Sequence, residues 1–205
     1  MPKHSFIHLA SQSPRRAQLL GQIGITHQLL RPPAGEDVEA LEAARPGERA
    51  VDYVQRVTLA KLQAARRWLA GQGGAPAPIL AADTVVVLGR RVLGKPADAA
   101  EAAATLNALS GRGHRVLTAV AVQGVRGRPR LALSTSRVWF APLSADFIAR
   151  YIASAEPFGK AGAYAVQGRM AAAIVRIEGS YTGIMGLPLY ETAGLLSQAG
   201  VQAAD

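Results

Sequence analysis

Ser11-Gln12-Ser13-Pro14-Arg15-Arg16 places two hydroxyls and two guanidinium groups where a helix should begin, with Ser13 as N-cap and Pro14 at the first helical position. A helix start carries unpaired N–H groups and the positive end of the dipole, so Arg15 and Arg16 have the wrong sign for it. An anion would resolve the conflict. Backbone N–H groups, the Ser11 and Ser13 hydroxyls and two guanidinium forks together suit a phosphate. The alternative is a plain Ser13 cap beside solvated arginines. Asp83 is the only charge in the ten-residue apolar run from Ile79 to Leu88. A carboxylate on a covered strand must be paired, hydrogen-bonded or metal-bound, unless it lies at an exposed edge. Thr84 beside it is either a substrate contact or a strand former.

The lysines form a second set. Only four of the 23 Lys and Arg residues are lysine: Lys3, Lys61, Lys95 and Lys160. Lys61 interrupts an apolar stripe, Lys95 sits in Leu93-Gly94-Lys95-Pro96, and Lys160 sits in Gly159-Lys160-Ala161-Gly162. Each is either a snorkelling side chain or a compact charge for phosphate oxygens. Glu36 and Asp37 are candidate ligands, with Asp83, for a divalent metal such as Mg²⁺, which uses one or two carboxylates plus substrate phosphates; a solvated acidic loop is the alternative. In Val166-Gln167-Gly168, the Gln167 amide offers one donor and one acceptor, matching the O4/N3–H edge of uracil or thymine. His114 has no evident partner and reads as structural. No glycine spacing gives a dinucleotide-binding or P-loop signature.

Phe6–Ala10 reads as a strand leading into the helix after Ser13, and 25–30 as a second strand, followed by an acidic loop over 32–47. A long helix over 48–70 follows, with Ala50, Val54, Val57, Lys61, Ala64 and Trp68 on one stripe. After the Gly/Pro break at 71–78, strand 79–88 turns at Gly89-Arg90-Arg91 into a short hairpin strand. Asp98 and Glu101 form a capping arrangement for a helix to Leu109. Strands over 115–123, 131–140 and 171–177 and helices over 145–154 and 188–198 complete an α/β chain with a mixed, twisted sheet and flanking helices.

At 205 residues the chain suits a single domain, residues 1–205. With no cysteine it excludes disulfide scaffolds, Cys-ligated zinc, iron–sulfur clusters and thiol catalysis. No apolar run approaches the roughly 18–20 residues that span a bilayer, so the expectation is a cytoplasmic protein with no membrane partner. The net charge of +9 fits either a nucleic acid or a small polyanion. Aromatics are 5% and scattered, which gives no base-stacking platform and argues against a stable nucleic-acid partner.

Seven segments, in order, resemble the Maf family of nucleoside triphosphate pyrophosphatases, also called septum-formation inhibitor proteins. They are Leu9-Ala10-Ser11-Gln12-Ser13-Pro14-Arg15-Arg16, Ala82-Asp83-Thr84-Val85-Val86, Leu93-Gly94-Lys95-Pro96, Leu109-Ser110-Gly111-Arg112-Gly113-His114, Lys160-Ala161-Gly162-Ala163-Tyr164, Val166-Gln167-Gly168 and Gly186-Leu187-Pro188-Leu189. The resemblance covers Ile7 to Leu196. It implies an elongated α/β fold with two lobes around a central cleft, like the inosine triphosphate pyrophosphatases. It also implies a cytoplasmic, commonly homodimeric enzyme that uses a divalent metal, Mg²⁺ or Mn²⁺, to split a nucleoside triphosphate into monophosphate and pyrophosphate. Asp83 takes the place of the family's proton acceptor, and Arg15, Thr84 and Gln167 take the places tied to substrate choice. Their combination resembles the dTTP/UTP subgroup and not the 7-methyl-GTP one. Two departures stand out. Glu36-Asp37 replaces the usual Asp-Glu, and Gly159 replaces the usual Asp before Lys-Ala-Gly.

On this reading Ser11, Arg15, Arg16, Lys61, Lys95 and Lys160 hold the triphosphate. Asp83 with Glu36 or Asp37 holds the metal, and Asp83 orients and deprotonates the attacking water. The rival readings are a pyrophosphatase for modified purine triphosphates and a non-enzymatic nucleotide- or nucleic-acid-binding regulator of cell division.

Overall fold

A computed structural model describes residues 4–202. The fold is organised by β3 (Ile79–Leu88), whose side chains are apolar on both faces except at Asp83 and Thr84. A strand of that composition is stable only when covered on both sides, and it is. β5 (Gly113–Gln123) pairs antiparallel with β3 from Ile79 to Val87 and so fills one whole edge. The other edge is shared. The strand β1 (Ile7–Leu9) runs parallel to it and pairs with Ile79 and Leu80, while β4 (Arg91–Leu93) returns antiparallel against Val86, Val87 and Leu88. Between them the edge at Asp83 and Thr84 has no strand beside it. β2 (His27–Leu29) extends the sheet parallel to β1; β6 (Arg130–Phe140) and β7 (Ile174–Glu178) extend it antiparallel on the far side. The order is β2-β1-β3-β5-β6-β7, with β4 off this path.

Side-chain alternation along β3 divides the core. Ile79, Ala81, Val85 and Val87 face α2 (Ala50–Gly71), which buries Val54, Val57, Leu62, Ala64, Ala65 and Trp68 against the sheet. On the opposite face Leu80 and Ala82 pack with Leu19 and Leu20 of α1 (Pro14–Gln22) and with Leu195 and Leu196 of α6 (Leu189–Gln198). Val86 packs there with Leu106 and Leu109 of α3 (Ala99–Leu109) and with Ile148 and Tyr151 of α4 (Ala145–Ala153). Asp98 caps α3 as expected: its Oδ1 accepts from Glu101 N at 2.8 Å, and Glu101 Oε2 accepts from Ala97 N at 2.8 Å.

The mixed sheet with flanking helices agrees with the sequence reading. Corrections fall in short, irregular pieces. The acidic stretch 32–47 contains a 3₁₀ turn, Glu39–Glu42, and the region expected to hold the last strand opens with another, Arg169–Ala173. A one-turn helix α5 (Tyr181–Met185) and a 3₁₀ turn at Ala161–Ala163 are too short to leave a periodic signal. Among the described residues no helix is long and apolar enough to cross a membrane.

Candidate active site

Where β1 and β4 leave the shared edge of β3 uncovered, a cleft of about 640 Å³ opens. A break between neighbouring strands of an α/β sheet is a preferred place for a ligand, because loops diverge there and backbone groups become available. Asp83 and Thr84 are consecutive and point to opposite faces of β3, yet both line the cleft.

Asp83 is 8% exposed and accepts from Lys61 Nζ at 2.6 Å. Lys61 is the polar interruption in the α2 stripe, and the same ammonium donates to Glu42 Oε1 at 2.7 Å. Glu42 Oε2 in turn lies 3.4 Å from Lys95 Nζ, so two carboxylates and two lysines form one chain of ion pairs. Burial alone would raise the Glu42 carboxyl, but bonding to Lys61 and the charges of Lys61 and Lys95 outweigh it and hold the group below the ordinary carboxylate range. Helix α2 also fixes the turn that carries Glu42. Tyr53 Oη donates to Glu42 O at 2.8 Å, and Arg56 Nη2 donates to Ala43 O at 2.9 Å.

Arg15 and Arg16 have different roles. Arg16 donates from Nε to Gly186 O at 2.8 Å, from Nη1 to Ser11 Oγ at 3.0 Å and from Nη2 to Thr84 Oγ1 at 3.4 Å. It therefore ties the start of α1 to β3 and to the loop after α5. Burial pushes its guanidinium down from the usual value, with Asp83 opposing. Arg15 makes no ion pair or hydrogen bond among the described residues, and burial also lowers its guanidinium. Among the described residues Lys160 is held only by the carbonyls of Glu156 and Phe158. Its amine is lowered first by burial and then by the positive charge of Arg15, and both side chains line the cleft. Among the described residues no acid forms an ion pair with either. The carbonyls take over the support that a carboxylate at 159 would give, and Gly159 allows the turn at φ +70°.

Several expectations need correction. Ser13 makes no side-chain cap; its N–H instead donates to Ser11 Oγ at 3.2 Å, and Ser11 is thereby committed to organising the loop and Arg16. Glu36 and Asp37 line the cleft but are exposed, and Asp37 Oδ1 is occupied by Ala40 N at 3.0 Å. The carboxylate linked to Asp83 through Lys61 is Glu42, which nothing in its sequence spacing separates from the other loop acids. Gln167 is exposed and does not line the cleft, because the chain turns away after the buried Tyr164, Ala165 and Val166. His114 has a partner after all, as Nε2 lies 2.8 Å from the Tyr164 hydroxyl in the core.

The donor set suits a hard cation. Asp83 and Glu42 supply oxygens alone and, with substrate phosphates, would satisfy the usual magnesium pattern. Among the described residues no group of three or more His, Cys, Asp or Glu is placed to hold a metal without such help.

A cleft with one buried carboxylate, a relay of paired lysines and two cations that form no ion pair among the described residues suits a polyanionic ligand. The profile of the family described as Maf-like protein matches residues 6–199, and the chain belongs to that family. It is 62% identical over 203 residues to the dTTP/UTP pyrophosphatase of Polaromonas sp. (strain JS666), covering 98% of this chain and all of that one. It is 59% identical to the dTTP/UTP pyrophosphatase of Cupriavidus metallidurans, covering 96% and 98%. A solved dITP/XTP pyrophosphatase from Mycobacterium abscessus is 17% identical, with TM-score 0.41 over 68% of this chain and 76% of that one.

Proposed function

We propose that this chain hydrolyses dTTP and UTP to the monophosphate and pyrophosphate. The observation that carries the reading is the pairing of a buried carboxylate, Asp83, with a cleft whose Arg15 and Lys160 lack acidic partners. A protein that only binds polyanions gains nothing from a buried negative charge facing phosphates. The nucleotides are those for which its relatives of 59–62% identity are named.

Arg15 and Lys160, which both line the cleft, would grip phosphate oxygens, with Lys61 and Lys95 contributing as well. Water would cleave the anhydride link between the α and β phosphates, its oxygen joining phosphorus while its proton passes to Asp83; pyrophosphate departs with its charge held by the lysines. A divalent metal held by Asp83 and Glu42 would supply neutralisation of the phosphate charge when bound. A homodimer, implied by the family resemblance, is checked in the same preparation by sedimentation.

The test is pyrophosphate release from a panel of canonical and modified triphosphates with Mg²⁺ or Mn²⁺. dTTP and UTP should lead. Release of orthophosphate with a nucleoside diphosphate would overturn the reaction type, and tight single-stranded RNA binding without turnover would favour the binding reading.

A further inference from the structure

Thr84 Oγ1 lies 3.0 Å from Thr118 Oγ1, and Thr118 Oγ1 donates to Gly183 O at 2.7 Å. A carbonyl oxygen only accepts, and a hydroxyl has one proton. The Thr118 proton is therefore spent on Gly183, and in the Thr84–Thr118 contact Thr84 must be the donor. From the other side Arg16 Nη2, which can only donate, reaches Thr84 Oγ1 at 3.4 Å. The chain has one direction: Arg16 to Thr84 to Thr118 to the Gly183 carbonyl. Its register is built into the sheet, since Thr84 and Thr118 are direct partners across β3 and β5. Thr118 is 1% exposed and does not line the cleft, while Thr84 does.

We infer that Thr118 is a positioning residue for specificity: by taking the only proton of Thr84, it makes Thr84 face the ligand purely as a hydrogen-bond acceptor. Thr84 then favours a ligand group that carries a hydrogen, an N–H or O–H, and disfavours a bare acceptor in the same place. This rests on the pyrimidine triphosphate reading above. Two groups of such a substrate fit: N3–H of uracil or thymine, which in cytosine is a bare acceptor, and the sugar 3′-hydroxyl. The assignment gives base or sugar selection to a residue inside the cleft, where Gln167 is not.

The experiment compares kcat/KM for UTP against CTP, and for dTTP against 2′,3′-dideoxythymidine triphosphate, in the wild type, Thr118→Ser and Thr118→Val. The wild type should prefer UTP in the first pair if the ring is read, or dTTP in the second if the sugar is read. Thr118→Val frees the Thr84 proton, the hydroxyl can turn and donate, and that preference should fall roughly tenfold. Thr118→Ser restores the acceptor and should keep it. A loss spread equally over all four substrates, or no wild-type preference in either pair, overturns the inference. Where Thr118→Val melts before assay, Thr84→Val, which has no acceptor, should lose the same preference; an unchanged ratio again overturns it. Absence of pyrophosphate release from every pyrimidine triphosphate by the wild type overturns the functional reading itself, before any variant is compared.

Discussion

The two ends of the cleft treat charge in opposite ways. At one end Lys61 and Lys95 are already paired, through Asp83 and Glu42. At the other, Arg15 and Lys160 line the cleft without an ion pair among the described residues, Lys160 bonded to two carbonyls, and both are lowered by burial. A paired lysine must exchange one anion for another when a phosphate arrives, so its net gain is small. An unpaired, partly desolvated cation gains the whole interaction. Binding strength should therefore come mainly from the Arg15–Lys160 end, and chemistry from the Asp83 end.

Asp83→Asn is the most severe way to break that division. It keeps the side-chain volume and removes the base, so kcat for dTTP should fall by about 10²–10⁴ while KM moves far less. Full turnover with an intact fold would remove Asp83 from the mechanism.

A second test uses pH to read the core contact next to the Lys160 segment. The segment bearing Lys160 runs on to Tyr164, whose hydroxyl meets His114 Nε2 at 2.8 Å. Burial pushes the His114 imidazole down to about 4. Between that value and the ordinary histidine value near 6.5, the unfolded chain takes up a proton that the folded one refuses. Stability from this group is thus complete above about pH 6.5 and is lost as the pH falls toward 4, amounting to about 2–3 kcal/mol. Stability measured by denaturant from pH 4 to 7 should show that slope, and His114→Asn should flatten it.

Much of this was legible in the sequence, but unevenly. The run from 79 to 88 holds one charge among apolar residues, and that contrast alone marks Asp83, whatever the partners. Lys61 was visible because it breaks a helical stripe. Strand pairing was another matter. The uncovered edge at Asp83 and Thr84 depends on where β1 stops and β4 starts, and neither three-residue strand has a pattern strong enough to fix its register. Glu42 lay hidden for a related reason: one acid among several in a loop acquires meaning only when Tyr53 and Arg56 pin its turn beside Lys61. Gln167 is the reverse case, where chemistry suited to a pyrimidine edge lies on backbone that turns outward.

Arg15→Ala and Lys160→Ala test the binding end directly. Each removes one charge-assisted contact, so KM for dTTP should rise roughly 10- to 100-fold with kcat changed less. Because the wild-type cations disfavour one another, each single variant relieves repulsion felt by the other. The double variant should thus cost less binding than the sum of the two single losses, because each single variant already forfeits the relief of that repulsion on binding. A kcat effect as deep as that of Asp83→Asn would erase the difference between the ends.

The smallest expected effect concerns the paired end. Glu42→Gln preserves the side-chain shape but withdraws the negative charge that Lys61 and Lys95 share. In the presence of a chelator, inorganic pyrophosphate should then bind several-fold more tightly, because it no longer displaces an internal carboxylate from the lysines. With a divalent metal restored the gain should vanish or reverse, since Glu42 is one of the two oxygen sources proposed to hold it. Titration calorimetry under both conditions reads the two arms. Equal pyrophosphate affinity of wild type and variant without metal would mean that the ion-pair chain imposes no cost on ligand entry, and the two ends of the cleft would then bind anions alike.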